Sequence, residues 1–375
     1  MSDRDNLDDV LERLEWDDAR REERPDSKLW AATRRTALTA GAAGIAALAL
    51  EACGGGKGSS TASTNVSGAT FGKAPKYKFT FVNHVTTNPF FVPTRYGAAD
   101  ACKLLGCSYQ WTGSESSNVK EMVNAMNSAV TSGADGIAVA LVDLKAFNEP
   151  TSAALKAKIP VVSYNADAEG NDRLAYIGQD LFLSGQKMGE HIVDLVGGSG
   201  NVALFIATPG SLNIQPRIDG AMNTIKKSGK GITAKSVATG AALPKELSTI
   251  DAWYLANKDA KGMFAVDAGS TQGVAQTIQK YSVAGKVKGG GYDLLPPTEK
   301  LLGQKQIDFT IDQQPYLQGF LPVMELYMYK VSQTLTGLAD VNTGLKFLDS
   351  TSIQPYLTTK TRYEGSSSSV GVAKS

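Results

Sequence analysis

The sequence predicts an α/β protein with two doubly wound parallel-sheet lobes. From Lys76 onward, apolar segments of strand length alternate with amphipathic helical segments. This alternation is typical of parallel sheets that are covered by helices on both faces. The strands are more numerous than one small sheet normally holds, so two similar lobes are the natural solution. A chain of 375 residues is long enough for two such domains.

The first lobe begins with regularly spaced elements. We expect strands at 79–82, 108–111, 136–140 and 159–164, with a further extended segment at 174–178. Helices are predicted at 94–105, 118–131 and 144–157. The second of these places Val119, Met122 and Met126 on one face, which is the spacing of a helix that packs on a core.

The same rhythm resumes after residue 180. The predicted strands are 201–207, 232–238, 262–266, 287–292 and 307–311. The predicted helices are 181–196, 217–227, 244–257, 271–281, 297–302 and 316–335.

Composition excludes several classes of protein. The net charge of +1 gives no support for nucleic-acid binding. No apolar run reaches the roughly 18 residues of a spanning helix. With two His and three Cys, a zinc cluster is not expected. Neither a dinucleotide-binding glycine motif nor a nucleophile elbow is present, so we predict no cofactor, no metal and no catalytic residues.

The N-terminus has the pattern of an export signal. Arg34 and Arg35 lie just before the 14-residue apolar run 37–50, which is too short to span a membrane. Paired arginines in this position resemble a twin-arginine signal. The run ends in Leu-Glu-Ala-Cys, which resembles a bacterial lipobox with Cys53 as the acylated residue. An amphipathic N-terminal helix on a cytosolic protein is the alternative.

These features divide the chain into segments. We predict a signal peptide at 1–52, a flexible Gly/Ser-rich tether at 53–75 and a disordered tail at 357–375. The mature protein would then be exported and held on the outer face of the cell membrane through lipid alone.

Polar and aromatic side chains follow the predicted strands, where ligands bind in open α/β sheets. Amides, carboxylates and a guanidinium can each engage two neighbouring hydroxyls, and aromatic rings pack on the apolar face of a sugar. A neutral polyhydroxyl ligand needs this mixture. The candidates are Asn88, Phe90, Phe91, Asn165, Gln215, Arg217, Asp267, Asp293 and Gln313.

The ordered motifs over residues 76–356 resemble the ribose-type sugar-binding proteins of ABC importers. The motifs are Asn-Pro-Phe-Phe at 88–91, Ile-Pro-Val-Val at 159–162, Arg-x-x-Gly at 217–220, Phe-Ala-Val-Asp at 264–267, Gly-Tyr-Asp at 291–293 and Thr-Ile-Asp-Gln-Gln at 310–314. The resemblance implies the type I periplasmic-binding-protein fold, with an interlobe cleft and three crossover segments. It also implies lobes at 76–179 with 314–343 and 180–313 with 344–356, and a monomer that delivers its sugar or polyol to ABC permease subunits.

The resemblance also assigns roles at the nine candidate positions. Phe90 and Phe91 match the family's aromatic sandwich, and Asn88 matches a hydroxyl-binding amide. Asp293 and Gln313 match directly, and Asp267 lies where the family has Asn or Asp.

Three other positions differ from ribose binders. Asn165 stands where the family usually has Asp, Ala166 replaces a ligating Arg, and Gln215 replaces another, with Arg217 nearby. These differences imply a sugar or polyol other than ribose.

Each candidate also has a structural interpretation. Phe90 and Phe91 would serve equally as core residues, and Asn165 as a turn former. Asp293 would suit the N-cap of a following turn. Gln215 and Arg217 would suit a solvated helix start.

Two other functions remain open. Asp267 and Asp293 would be the carboxylate pair of an exported sugar-active enzyme. A sensor that presents a sugar or furanosyl signal to a receptor would use the same fold.

The remaining cysteines lie at the end of the first predicted helix. If Gly106 closes this helix in the left-handed conformation, the capping motif brings Cys102 and Cys107 into contact. Disulfides persist outside the cytoplasm, so we predict a Cys102–Cys107 bridge. The alternative is a pair of buried free thiols, which behave as small hydrophobic residues.

Overall fold

A computed structural model describes residues 75–332 and 338–358. The predicted signal peptide, Cys53 and all but one residue of the predicted tether lie outside the described residues, as does the predicted tail beyond residue 358. Within the described part of the chain, no helix has the length and apolar character needed to cross a membrane.

Twelve strands occur among the described residues. In chain order they are β1 (Lys78–Asn83), β2 (Ser108–Gly113), β3 (Gly136–Val139), β4 (Val161–Tyr164), β5 (Tyr176–Gly178), β6 (Ser199–Ile206), β7 (Gly231–Ala238), β8 (Gly262–Ala265), β9 (Lys288–Tyr292), β10 (Phe309–Asp312), β11 (Val341–Asn342) and β12 (Lys346–Leu348).

The helices alternate with these strands. They are α1 (Val92–Leu105), α2 (Val119–Thr131), α3 (Asn148–Lys156), α4 (Leu181–Leu195), α5 (Gln215–Lys227), α6 (Leu243–Ala256), α7 (Ala268–Lys280), α8 (Pro296–Gly303), α9 (Leu317–Ser332) and α10 (Gln354–Thr358).

The strands form two six-stranded sheets, and each sheet defines one lobe. The first has the order β11-β5-β4-β3-β1-β2, and the second has the order β12-β10-β9-β8-β6-β7. The chain crosses between the sheets three times, after β5, after β10 and after β11. The predicted fold class of two parallel-sheet α/β lobes is therefore confirmed.

Burial explains why the central strands read as continuous apolar runs. All four residues of β3, β4 and β8 are buried, because helices cover both faces of each sheet. The edge strand β7 instead alternates between half-buried and exposed residues. In the first lobe, α9 packs against α1 with very small separation. A Cβ atom on Gly97 would lie 2.1 Å from the carbonyl oxygen of Tyr316.

The structure differs from the sequence prediction at several short elements. The strand β12 runs antiparallel to β10, whereas the sequence predicted parallel sheets throughout. The helix predicted from residue 144 begins only at Asn148, because the Asp143 side chain accepts the N–H groups of Lys145 and Ala146 and holds a turn there. The helix α10 continues to Thr358, two residues into the predicted disordered tail.

The end of α1 has the predicted cap but not the predicted disulfide. Gly106 adopts the left-handed conformation with φ of 69°, and the Cys107 N–H donates to the Cys102 carbonyl at 3.0 Å. Both cysteines are free thiols in the structure. The two thiols hydrogen-bond to each other, which raises the pKa of Cys102 above its usual range and lowers that of Cys107.

Candidate functional site

Several candidate residues follow the carboxyl ends of central strands. Asn165 follows β4, Asp267 is two residues beyond β8, and Asp293 directly follows β9. Gln313 follows β10 at the second crossing between the lobes. Because carboxyl ends of parallel strands share one edge of a sheet, each lobe directs its own candidates toward the same region.

A chain of buried hydrogen bonds joins three of these candidates. The Gln313 amide donates to an oxygen of the Asp293 carboxylate at 2.7 Å, and the Gln318 amide donates to the Gln313 Oε1 at 3.1 Å. The Asn165 amide donates to the Gln318 Oε1, also at 3.1 Å. All four side chains are buried. The chain thus runs from the first lobe through the crossing into the second lobe.

Asn165 and Asp293 share an unusual backbone conformation. Their φ values are 64° and 75°, in the left-handed region that Asn and Asp tolerate better than most residues. Asn165 is therefore a turn former, as one interpretation had it, and its side chain also lies in the buried network. The N-cap of the next helix is Leu295, so Asp293 does not cap it.

Burial changes the acid–base behaviour of two carboxyl groups. Burial raises the pKa of Asp293 to about 7, although Arg217 and the Gln313 hydrogen bond act in the opposite direction. Burial also raises the pKa of Glu246 to about 10, and the nearby Asp267 carboxylate adds to this shift. Glu246 is therefore a neutral acid at pH 7.

Arg217 is buried, which contradicts its interpretation as part of a solvated helix start. Its guanidinium donates to the Val266 carbonyl at 2.8 Å and to the Gln179 Oε1 at 3.1 Å. It also lies 4.0 Å from the centre of the Tyr292 ring. These contacts hold a cation beside the strand end that carries Asp293.

Gln215 and Asp267 bind backbone groups in their own lobe. Gln215 accepts the Gly210 N–H at 2.8 Å and donates to Asp219 at 2.8 Å. Asp267 caps α7 by accepting the Ser270 N–H, and its second oxygen accepts the Ala207 N–H. Each carboxylate oxygen of Asp267 thus stabilises a loop.

The aromatic candidates lie at the start of α1. Asn88 caps the short 3-10 helix Pro89–Phe91 by accepting the Phe90 N–H at 2.9 Å. The rings of Phe90 and Phe91 meet edge to face with centroids 4.7 Å apart. Both are buried in the core of the first lobe, which also contains Leu295 from the second. The core interpretation of Phe90 and Phe91 therefore describes their present packing.

A cavity of about 410 Å³ opens beside Phe90. Its walls come from both lobes and from the second crossing, and they include Leu294, Leu295 and Pro315. Of the nine candidates, only Phe90 lines this cavity. The buried amide network lies outside its lining.

Two contacts outside the candidate set connect the lobes directly. The Leu212 N–H donates to the Val142 carbonyl at 3.0 Å. The His84 Nε2 lies 3.1 Å from the Asn213 amide nitrogen. Burial lowers the pKa of His84 to about 4. The lobes are therefore in contact across the cleft in this structure.

Sequence reasoning missed Gln318, Glu246 and Gln179, which hold the candidates in place. Gln318 and Glu246 lie within helices, and their partners come from distant parts of the chain. Gln318 alone had a sequence signal, since it is an amide in an otherwise apolar helix start, Leu-Gln-Gly-Phe-Leu. No group of three or more His, Cys, Asp or Glu residues in the described ranges is arranged to hold a metal ion.

Comparison with known proteins places this fold in a family. Residues 79–333 match the periplasmic binding protein domain, and the chain belongs to that family. The xylose/arabinose-binding protein XylF of Sulfolobus acidocaldarius is 50% identical over 308 residues, which cover 78% of this chain and 76% of the relative. The ribose import binding protein RbsB of Salmonella typhimurium is 26% identical over 61% of this chain and 76% of its own length.

Solved structures share the fold. An ABC transporter solute-binding protein from Burkholderia graminis, in complex with D-arabinose, matches with a TM-score of 0.69 and 24% identity. The match covers 76% of this chain and 97% of that one. A solute-binding protein from Agrobacterium vitis, bound to α-D-tagatopyranose, matches with a TM-score of 0.67 and 23% identity over 74% of this chain and 96% of its own.

Proposed function

We propose that this protein is the extracytoplasmic substrate-binding lipoprotein of an ABC importer. It binds a neutral monosaccharide or polyol between its lobes and delivers the ligand to permease subunits. The observation that carries this proposal is the buried chain Asn165–Gln318–Gln313–Asp293, which joins the two lobes through groups suited to hydroxyls. Closure of two lobes around a ligand is a known way to bury it.

Aldopentoses are the sugars to test first. The 50% identical relative is named for xylose and arabinose, and it covers more of this chain than the ribose-binding relatives do. Ala166 and Gln215 replace two arginines of ribose binders, which supports a ligand other than ribose. Arg217 retains one cation near the site.

The proposed ligand-binding set is the nine residues predicted from the sequence. Asn165, Asp293 and Gln313 would bind hydroxyls, with the buried Arg217 beside them. Phe90 and Phe91 would contact the apolar face of the ring, and Asn88 would donate from its amide. Gln215 and Asp267 would require their present backbone hydrogen bonds to be shared with the ligand.

A binding protein fits better than a sugar-active enzyme. Asp293 accepts a hydrogen bond from Gln313, while both oxygens of Asp267 accept backbone N–H groups. The two carboxylates therefore have structural partners of their own. The curated relatives described above are named as binding proteins, which supports the same conclusion.

Export and anchoring complete the proposal. The twin-arginine segment would direct export, and a lipid on Cys53 would hold the protein at the outer face of the cell membrane as a monomer. The lobes would comprise 76–179 with 314–343 and 180–313 with 344–356, a division that the membership of strands in the two sheets supports. Mass spectrometry of the membrane fraction should find an acylated Cys53, and Cys53→Ser should release the protein from the membrane.

A thermal-shift screen with calorimetry tests the binding function. Purified protein is mixed with D-xylose, L-arabinose, D-arabinose, D-ribose, hexoses and inositols. A ligand at 100 times its dissociation constant should stabilise the fold by about 2.7 kcal/mol. Saturable binding of unchanged sugar is the expected result. Absence of binding across the panel, or hydrolysis of a glycoside, would overturn the proposal.

A further inference from the structure

Gln318 is the central member of the buried amide chain. It lies in the first turn of α9, and its side chain is fully buried. Its Nε2 is within hydrogen-bond distance of three acceptors, the Gln313 carbonyl at 3.2 Å, the Gln313 Oε1 at 3.1 Å and the Thr343 Oγ1 at 3.1 Å. Its Oε1 accepts from the Asn165 amide.

These contacts define the orientation of the Gln318 amide. An amide nitrogen carries two N–H donors, and the amide oxygen only accepts. The Thr343 hydroxyl donates its own hydrogen to the Gln313 carbonyl at 2.8 Å, so it presents a lone pair to Gln318. A reversed Gln318 amide would place its oxygen against three acceptors. The observed orientation is therefore the one that satisfies this buried group.

The partners of Gln318 belong to parts of the chain that would move relative to each other during closure. Asn165 directly follows β4 of the first lobe, Gln313 lies at the second crossing, and Thr343 lies at the third. Through Gln313, the chain reaches Asp293 in the second lobe. One side chain thus connects two of the three crossings with residues from both lobes.

The network also determines which atoms are left for a ligand. The Asn165 amide nitrogen is held by Gln318, while the Asn165 Oδ1 is buried and without a hydrogen-bond partner among the described residues. A buried acceptor without a partner is costly, and a ligand hydroxyl would satisfy it. Because Gln318 accepts from the Asn165 amide nitrogen, the Asn165 Oδ1 is left as the buried acceptor for a ligand hydroxyl.

We propose that Gln318 is a positioning residue that orients the Asn165 and Gln313 amides for the sugar. Through Gln318, sugar binding at these two amides is linked to the crossings between the lobes. This inference rests on the proposed sugar-binding function. Gln318 itself makes no ligand contact in the proposed arrangement. It acts through the amides on either side of it.

The variant Gln318→Met tests the inference, because it keeps the length of the side chain and removes its hydrogen bonds. We expect affinity for D-xylose or L-arabinose, whichever the wild-type chain binds more tightly, to fall about tenfold or more, since two ligand-facing amides lose a fixed partner. The loss of affinity should appear as a faster dissociation of the sugar, measured by stopped flow. Thr343→Val removes one hydroxyl from the same network and should act in the same direction with a smaller effect.

The control variant is Asp308→Ala. Asp308 lies near the starts of β9 and β10, whereas Asp293 and Gln313 follow the ends of these strands. Asp308 accepts the Gly289 N–H and the Lys288 ammonium near the starts of β9 and β10. This variant should lower the melting temperature and leave sugar affinity unchanged, which separates lost stability from lost positioning.

A double-mutant cycle gives a readout that a purely structural role would not produce. In an Asn165→Ala background, Gln318→Met should cost much less affinity than it does in the wild type. The reason is that Asn165, one of the two residues that Gln318 orients, is already absent. Additive effects, or wild-type affinity in both Gln318→Met and Thr343→Val, would overturn the inference while leaving sugar binding intact. If the wild-type chain binds none of the sugars in the panel, the proposed function fails first and the inference falls with it.

Discussion

Among single residues, Asp293 combines burial with a charge that the proposed ligand would use. Its carboxylate has one oxygen bound by Gln313, and burial raises its pKa to about 7. We expect Asp293→Asn to weaken binding of the preferred pentose strongly, since each hydrogen bond to a charged group contributes about 1.5–3 kcal/mol. Calorimetry measures the loss, and unchanged affinity would remove Asp293 from the site.

The raised pKa of Asp293 predicts that sugar affinity depends on pH. A raised pKa means that the ligand-free site binds a proton more readily than a free aspartate does. The ionised form accepts the hydroxyls, so affinity should fall as the pH drops from 8 to 6. Asp293→Asn should remove this dependence. A wild-type affinity that is flat between pH 6 and pH 8 would contradict it.

We expect the variant Glu246→Gln to be more stable than the wild-type protein at neutral to mildly alkaline pH. Its folded pKa of about 10 lies above the unfolded value, so the folded state holds its proton more tightly. Stability from this group is complete below about pH 4.5 and declines as the pH rises toward 10. Glu246→Gln keeps the acceptor for Ser270 and does not titrate. We expect it to raise stability at pH 8 by on the order of 1–3 kcal/mol. A melting temperature lower than wild type at pH 8 would contradict this.

Residue-level reasoning found the ends of the network and missed its centre. Asn165, Asp293 and Gln313 follow predicted strands, and polar residues at strand ends point to a site from sequence alone. Arg217 was placed near the site, but its burial and its contact with Tyr292 depend on a helix packing that the sequence does not specify. Gln318 lies in a helix, and its four contacts come from segments up to 153 residues away.

Among the elements, the pair α1 and α9 depends on two glycines at the contact. A Cβ atom on Gly319 would lie 1.8 Å from the carbonyl oxygen of Thr94. We expect Gly319→Ala to push the helices apart and to destabilise the fold by about 1–3 kcal/mol. Because Gln318 precedes Gly319, the variant should also weaken sugar binding. Chemical denaturation and calorimetry measure the two effects.

Gly231→Ala is the matched control for this change. The nearest atom to an added Cβ there is the Ser199 Cβ at 3.5 Å, an ordinary contact. The control should therefore leave stability and affinity close to wild type. Equal stability in both variants would show that the close approach of α1 and α9 is easily relaxed.

The cysteines at the end of α1 allow a test of the predicted disulfide. The structure has free thiols at Cys102 and Cys107, next to a left-handed Gly106 that keeps them in contact. In an oxidising compartment we still predict that the pair oxidises. The loop closed by the bridge is very short, so its effect on stability should be small. Thiol titration of unfolded, unreduced protein that lacks the signal and Cys53 measures this, and two free thiols per chain would refute the bridge.

The long elements were predictable, whereas the two short strands near the C-terminal end of the described chain were not. Helices such as α2 carry a clear apolar face, and buried strands such as β3 are continuous apolar runs. The strands β11 and β12 have two and three residues, too few for any period to show. Their place at the sheet edges follows from the third crossing, which only the assembled lobes define.

In the whole molecule, the lobes meet through contacts that would break on opening. The Leu212 N–H bonds to the Val142 carbonyl, and the Asn213 amide meets His84. The ring of His84 packs edge to face on Phe91, with centroids 5.2 Å apart. The structure thus has the two lobes in contact, an arrangement we call closed, and buried hydrogen bonds through Gln318 join Asn165, Gln313 and Asp293.

The buried imidazole of His84 predicts that closure of the lobes depends on pH. Its Nδ1 has no hydrogen-bond partner among the described residues, and burial lowers its pKa to about 4. If opening exposes the ring to water, its pKa should return to about 6.5. The open form then binds the proton more tightly. The contribution of His84 to closure is therefore complete above about pH 6.5 and is lost as the pH falls toward 4.

Small-angle scattering of the sugar-free protein can measure this opening. The pKa of Asp293 is raised in the closed structure, so its protonation favours closure, whereas protonation of His84 favours opening. The pH curve of the wild type alone therefore does not isolate the effect of His84. His84→Gln keeps a polar partner for Asn213 and does not titrate. We expect the radius of gyration of the wild type to increase between pH 7.5 and pH 5 by more than that of His84→Gln. Identical pH curves for the two proteins would mean that His84 stays buried, or stays neutral, in both arrangements of the lobes.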